Sequence, residues 1–287
     1  SVDNSIIVSI KKKYEDDVEV NLRLFELRNG IYSHKKDVSL STYDGGPIVM
    51  SEETDDFSND LFSLMECAQT LGSIYKTKSG FVAYEVGKGN PKQTEKMKNE
   101  RVYHSSKRED KSWRPYLEGK DVCRYHLQTP QSYVKYGKNL AAPRNPELYT
   151  GIRILVRQIP SQPPRCICAA IVDNEYVNDR NSMIIKCDLE DDAHFILAIL
   201  NSELVSKWFI RKFDKFQRKT FPQFKVNELD TFPVPAVTPD EKSEIVKLSK
   251  SLQKSYAQGK DAEGVERSLE KLILKYFTRK QMLKQAA

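Results

Sequence analysis

Apolar and polar positions along the 287-residue chain change period several times, and each change predicts a different element. Residues 4–10 (NSIIVSI) form a β-branched run closed by Lys11, Lys12 and Lys13, which predicts a strand. Residues 18–27 (VEVNLRLFEL) alternate apolar with polar side chains, and the turn dipeptide Asn29-Gly30 follows closely. A chain that opens on a strand, with no capping or turn residues before it, reads as a cut through a larger protein. After Gly45-Gly46-Pro47, the acidic residues 51–60 lead into Leu61, Leu64, Met65, Ala68 and Leu71, a helical stripe ending at Gly72. Strands are predicted again at 132–134, 153–158, 167–172 and 182–186, with turns at Asp173-Asn174 and 178–181 between the last two. From Asp191 to Phe213, the residues Phe195, Ile196, Ala198, Ile199, Leu200, Leu204 and Trp208 recur at three-to-four spacing and predict one long helix. Beyond Thr238-Pro239, a helix over 240–256 carries Ile245, Leu248 and Leu252, and Gly259 breaks it. A last helix over 263–277 carries Val265, Leu269, Leu272, Ile273 and Tyr276, so the chain closes on an αα-hairpin that must bury its stripes on the body or on a partner. The pattern is that of an α+β protein: a β-rich middle with a long helix, then the helical hairpin.

Composition narrows the class without naming a reaction. Hydrophobic residues at 39% and charged ones at 30% describe a globular chain. No apolar run reaches the roughly 18 to 20 residues that span a bilayer, and the start lacks a signal-peptide core, so a cytoplasmic location and no membrane partner are expected. The 5 cysteines form no C-x-x-C pair, which argues against a disulfide framework and against a metal site.

Net charge is +6, but its distribution matters more than its sum. Residues 1–60 hold 7 cations and 13 acids, whereas 76–124 hold 13 cations and 7 acids. Residues 80–127 are polar, basic and weakly periodic, and Gly87-Lys88-Gly89 reads as a flexible basic loop because the G-K-S/T of a phosphate-binding loop is missing. A second basic stretch, 205–225, has 7 cations against Asp214, with Trp208, Phe209, Phe213, Phe216, Phe221 and Phe224 threaded among them. Phe209 and Phe213 continue the helical stripe and are expected to be packed, which leaves Lys215, Gln217, Arg218, Lys219 and Thr220 facing a ligand. The charge asymmetry suggests a polyanion; a solvated mixed-charge surface is the plainer account.

Known chemistries find little to match. Glu118-Gly119-Lys120, with Asp110 and Asp121 nearby, fits the short E-x-K core of metal-dependent nucleases, yet Gly119 there also makes a good turn. No G-x-S-x-G elbow accompanies the 4 scattered histidines, and Gly87-Lys88-Gly89-Asn90-Pro91-Lys92 lacks the third glycine of a dinucleotide-binding loop.

Five segments carry a resemblance in the right order: PYLEGKDVCRY (115–125), GIRILVRQI (151–159), AAIVDNEYVNDRNSMII (169–185), LAILNSELVSKWF (197–209) and FPQFKVNELDTFPVP (221–235). Together they resemble the TaqI-like C-terminal target-recognition domain of adenine-specific DNA methyltransferases and single-chain restriction-modification enzymes. The opening strands resemble the close of the methyltransferase domain that precedes this module. The family's catalytic Asn/Asp-Pro-Pro-Tyr/Phe sequence serves a flipped adenine, whereas Ser161-Gln162-Pro163-Pro164-Arg165 here lacks both the acid or amide and the aromatic ring. The glycine-rich methyl-donor strand is missing too. The resemblance therefore implies a chain that recognises double-stranded DNA without catalytic residues or a cofactor of its own. Its partner would be the catalytic methyltransferase domain of a parent using S-adenosylmethionine, with Mg entering only if that parent also has a nuclease domain.

On this reading residues 1–50 close a truncated methyltransferase domain, 51–236 form the DNA target-recognition domain and 237–287 the helical hairpin. Cations would position phosphates while amides and guanidinium groups read base edges. The expected DNA-binding residues are Lys88, Lys92, Gln93, Lys107, Arg108 and Lys111 on the first basic loop. Lys215, Gln217, Arg218 and Lys219 follow the long helix, with Arg157 and Gln158 at a strand end. Gly119, Tyr125, Asn201 and Leu229 match the family pattern but are expected to shape the fold. Two alternatives stay open: a metal-dependent nuclease using Asp110, Glu118 and Lys120, and an assembly subunit docking through its C-terminal helices.

Overall fold

The computed structural model describes residues 21–28, 31–39, 59–213 and 223–285, and the chain divides into two compact units, Ser1–Met50 and Ser51–Ala287. In the first unit, β1 (Asn21–Arg28) and β2 (Ile31–Ser39) pair antiparallel, with Arg28 opposite Ile31 and a register slip between Leu24 and Phe25. The sequence pattern predicts β1 but not β2, whose central Lys35-Lys36-Asp37 breaks any alternation. The expected strand at 4–10, the Asn29-Gly30 and Gly45-Gly46-Pro47 turns and most of the acidic stretch lie outside the described residues.

The second unit runs, in chain order, through α1 (Asn59–Glu66), β3 (Gln69–Thr70), α2 (Leu71–Ile74), β4 (Thr77–Ser79), α3 (Glu95–Asn99), β5 (His104–Ser105), β6 (Trp113–Leu117) and β7 (Ser132–Lys135). It continues with β8 (Arg153–Arg157), β9 (Ala169–Val172), β10 (Val177–Asn178), β11 (Ser182–Lys186), α4 (Glu190–Leu200) and α5 (Glu203–Phe213). After α6 (Val226–Leu229) and β12 (Pro233–Val234) come the hairpin helices α7 (Pro239–Ala257) and α8 (Glu263–Gln285). The fold is a mixed α+β one, as the pattern predicts. The stripe through Leu71 is not one helix, however. It stops at Glu66 because Gln69–Thr70 pairs with Pro233–Val234, and Leu71 donates its N–H to the Phe232 carbonyl at 2.8 Å.

Two four-stranded sheets organise this unit, β4-β11-β8-β9 and β10-β6-β7-β5. In the first, successive residues serve two different cores, because a strand sends neighbouring side chains to opposite faces. Ile154, Val156, Met183 and Ile185 face the helices, while Leu155 and Ile184 join Phe81, Tyr116, Leu117 and Val134 between the sheets. That explains the unbroken apolar runs ILV (154–156) and MII (183–185), since a sheet covered on both faces needs apolar residues at successive positions.

The predicted long helix is two helices bent by 60° at Asn201-Ser202. Apolar periodicity carries across the break because both halves are packed in the core; among the described residues no single helix is long and apolar enough to cross a membrane. Asn201 is fully buried, and its amide accepts from Ala169 N–H and donates to Ala169 C=O, both at 3.0 Å, so it acts as an extra strand on the edge of β9. Tyr125, held at φ 64°, donates its N–H to the same carbonyl at 2.9 Å. Arg124 carries the connection onward: its guanidinium donates to Asn201 C=O at 3.1 Å, to Glu266 at 2.9 Å and to the Tyr256 hydroxyl at 2.6 Å.

The terminal hairpin is thereby fastened to the body. Arg165 of the Ser161–Arg165 stretch adds a 3.0 Å ion pair to Glu266, and Glu270 accepts from the N–H of Glu203 at 2.6 Å at the start of α5. Thr238 and Glu241 cap α7 reciprocally, with Pro239 in its first turn. Ile245, Leu252, Leu269 and Ile273 all lie in the core beside α4 and α5. These named residues of the stripes are covered by the chain's own body.

The basic stretch read as a flexible loop is ordered by side-chain hydrogen bonds to backbone. Gln93 is buried; its amide accepts from Glu85 N–H at 2.8 Å and donates to the carbonyls of Ala83 at 2.9 Å and Asn139 at 2.8 Å. Nearby, the Tyr84 hydroxyl accepts from Tyr103 N–H at 2.8 Å and meets His104 Nδ1 at 2.9 Å. The His104 ring stands edge-on to Tyr116 at 4.9 Å, and Tyr116 donates to Asp179 at 2.8 Å. Burial, aided by the neighbouring Arg101, pushes the His104 pKa down from 6.5 to about 4.

Two expectations follow for stability. Asn201→Ala leaves a buried N–H without a partner and should cost about 2–3 kcal/mol, read as a lower urea midpoint at unchanged m-value; a shift too small to measure would mean that water replaces the amide. For His104, the unfolded chain takes up a proton that the folded chain refuses as pH falls from 6.5 to about 4, so this group makes the fold less stable on acidification through that window. The drop in Tm between about pH 7 and pH 5 should therefore be smaller for His104→Gln than for the wild type. Equal drops in the two proteins would remove His104 as the cause.

Candidate nucleic-acid interface

The turn joining β10 to β11 is fixed by side-chain and backbone hydrogen bonds from several segments. Asp179 accepts from Asn181 N–H and from the Asn181 amide, each at 2.9 Å, and from the Tyr116 hydroxyl. Burial raises the Asp179 pKa, against the opposing pull of these donors. The adjacent Asn178 is fully buried and donates to Ser182 C=O at 2.9 Å. From the other side, Phe81 N–H donates to Asn178 C=O at 3.2 Å and Arg180 N–H donates to Phe81 C=O at 3.0 Å. Gly80 permits that approach: a Cβ there would lie 2.2 Å from the Asp179 carbonyl oxygen. Gln158, just past β8, ties the turn to the next segment, donating its N–H to Asn181 C=O at 2.9 Å and accepting from Phe224 N–H at 3.1 Å.

Two adjoining clefts open on either side of this turn and share Arg180 and Asn181. The first, of about 600 Å³, has an aromatic floor of Phe81, Tyr84, His104 and Tyr116, and carries Lys98, Arg101, Lys120, Arg157 and Arg180 against the acids Glu118 and Asp179. The second, of about 720 Å³, is lined by Gln158, Gln223, Asn227, Lys225 and Asp230 among others. Positive charge in a concave site attracts a polyanion, and the amides supply donors and acceptors for a patterned edge. Among the described residues, the side chains of Arg157, Gln158, Arg180, Gln223 and Asn227 have no hydrogen-bond or ion-pair partner.

The expected site residues divide unevenly over this surface. Arg157 and Gln158 line the clefts. Lys88, Lys92, Lys107, Arg108 and Lys111 are exposed but line neither. Gln93 is corrected: buried, with its amide engaged on three backbone groups, it holds its loop together and cannot reach a ligand. Lys215, Gln217, Arg218, Lys219 and Thr220 lie outside the described residues. Arg180, Asn181, Lys98, Arg101, Gln223, Lys225 and Asn227 escape the sequence reading. The stretch 178–181 reads there only as a turn, although a cation between two turn-forming side chains is the available signal.

The Glu118-Gly119-Lys120 triplet forms a capped turn. Glu118 N–H donates to Asp121 at 2.8 Å, and the Glu118 carboxylate pairs with Lys120 at 2.7 Å and Arg101 at 3.4 Å, which hold it below the usual carboxylate range. Gly119 lies where a Cβ would come within 3.1 Å of Asn181, so the turn packs directly against the shared wall of the clefts. Asp110 is held by the N–H and hydroxyl of Ser112. Among the described residues no three His, Cys, Asp or Glu side chains converge as metal ligands.

Comparison with known proteins finds similarity in the stretch that forms most of this surface. Residues 114–234 match the TaqI-like C-terminal specificity domain. A candidate type II restriction enzyme and methyltransferase of Methanocaldococcus jannaschii is 28% identical over 133 residues, 45% of this chain and 11% of that protein. Among solved structures, the type IIL restriction-modification enzyme MmeI in complex with DNA is similar over 90% of this chain and 38% of its own, at 11% identity and a TM-score of 0.48. The type IIG restriction endonuclease BpuSI is similar over 77% of this chain and 33% of its own, at 10% identity and a TM-score of 0.42. The chain thus spans a small part of the curated relative and well under half of each of these two structures. Residues 114–234, the part similar to the TaqI-like C-terminal specificity domain, hold most of the wall of both clefts.

Proposed function

We propose that this chain reads the base sequence of double-stranded DNA for a restriction-modification enzyme, as the target-recognition module of an adenine-specific methyltransferase. The observation that carries the reading is the pair of adjoining clefts, in which guanidinium and amide groups without a partner among the described residues stand on a hydrogen-bonded backbone frame, largely inside the stretch that matches a specificity domain. Lysines and arginines neutralise phosphates and set the register of the duplex, while forked donors and amides distinguish base edges. Lys98, Lys120 and Arg157 at the first cleft take the phosphate role, together with the exposed Lys88, Lys92, Lys107, Arg108 and Lys111.

The methyl transfer belongs to a catalytic domain of the parent enzyme, with residues 1–50 as its closing strands and S-adenosylmethionine as the methyl donor. The residues of this chain do not fit that cofactor: the glycine-rich donor strand is missing from the sequence, and Arg165, in the stretch nearest the catalytic pattern, is paired with Glu266. The relative from Methanocaldococcus jannaschii, whose name joins restriction with methylation, supports the same assignment.

Binding to a short duplex should weaken steeply with salt, with a linear plot of log affinity against log salt. Replacing Lys107 and Arg108 together by Ala should weaken binding to every sequence alike and make that slope shallower by about 2, close to one unit per phosphate contact. Fluorescence anisotropy over a salt series measures both. A flat salt dependence in the wild-type chain, or equal affinity for selected and scrambled duplexes, would overturn the reading.

A further inference from the structure

Most arginines around the clefts are committed to the fold. Arg144 donates to the carbonyls of Ser79 and Gly80 at 3.1 Å, Arg153 to those of Asn174 and Tyr176 at 2.7 Å, and Arg101 pairs with Glu118 at 3.4 Å. Arg180 differs from these. Its backbone is fixed by the hydrogen bond to Phe81 and by the bonds around Asp179 and Asn181, yet its exposed guanidinium has no partner among the described residues. Among the described residues it is the one cation that lines both clefts, and the amides of Gln158, Gln223 and Asn227, which have no hydrogen-bond partner among those residues, line the second of them.

We propose that Arg180 is a specificity-determining residue that reads a guanine of the target, its planar fork donating to O6 and N7 in the major groove. The proposal rests on the DNA-recognition reading above. A guanidinium on a fixed turn has no backbone freedom left to lose when it binds, and its planar fork matches the paired acceptors of guanine. A phosphate-positioning role needs no such rigid support, since a lysine on a mobile stem serves it equally well. The neighbouring amides of Gln158, Gln223 and Asn227 are placed to accept and donate at adjacent base pairs, the pattern that adenine presents.

The test is selection from a duplex pool randomised across one helical turn, using the full 287-residue chain as wild type, Arg180→Ala, Arg180→Lys and Lys98→Ala. The wild type should enrich one site containing a G·C pair at which both Arg180 variants lose roughly tenfold or more of their preference, while the other positions keep theirs. Lys98→Ala should keep the whole motif and bind every duplex more weakly. Thermal melting should leave both Arg180 variants as stable as the wild type, because the exposed side chain has no hydrogen-bond or ion-pair partner among the described residues. An Arg180→Ala motif identical to that of the wild type, or an even loss across all sequences, overturns the assignment and leaves DNA recognition standing. A wild-type pool with no enriched motif overturns that reading and the assignment together.

Discussion

A single buried amide sets the arrangement of the larger unit, residues 51–287. Asn201 ends α4 and, through two hydrogen bonds to Ala169, extends the β8-β9 sheet by one strand-like partner. A helix continuing through this point would point the side chain elsewhere and leave Ala169 with a buried N–H unmatched. The bend between α4 and α5 is therefore the geometric cost of finishing the sheet edge. Tyr125 arrives at the same carbonyl in a left-handed backbone conformation, and Arg124 beside it reaches both Asn201 and the terminal hairpin. Elements far apart in sequence thus meet at one residue, and the hairpin becomes a buttress of the same unit.

The clefts inherit their rigidity from this arrangement. Strands β8 and β11 are packed on both faces, so the positions at their ends cannot tilt without disturbing two cores. Arg157 and Gln158 stand at the end of one of these strands, and the Asp179–Asn181 turn leads into the other. The second sheet supports the turn through Tyr116 and, beyond it, His104 and Tyr84. A binding surface on such a frame holds its groups in place before a ligand arrives, which lowers the entropy lost on binding.

The strands at 132–134 and 182–186 and the capped hairpin are legible in the sequence because their signals are local: β-branched runs, Thr-Pro caps and Gly259, which sits at φ 62°. The break at Asn201-Ser202 is not. Apolar spacing reports which side chains are buried, and Leu200 and Leu204 stay buried whether or not the helix axis is straight. Gln93 misleads for a related reason, since a polar side chain on a basic loop looks solvent-facing until the three backbone groups it satisfies are known. Arg180 is hidden by its turn: Asp179 and Asn181 announce a change of direction, and nothing in the one-dimensional pattern says that Tyr116 on β6 and Phe81 beyond β4 fix it.

The division of labour within that turn has an evolutionary corollary. Asp179 and Asn181 are structural on both sides of position 180, whereas the side chain at 180 is required by nothing else in the described fold. The scaffold therefore leaves one codon open between two constrained ones, so the side chain presented to the clefts can change by point mutation while the turn that carries it stays as it is.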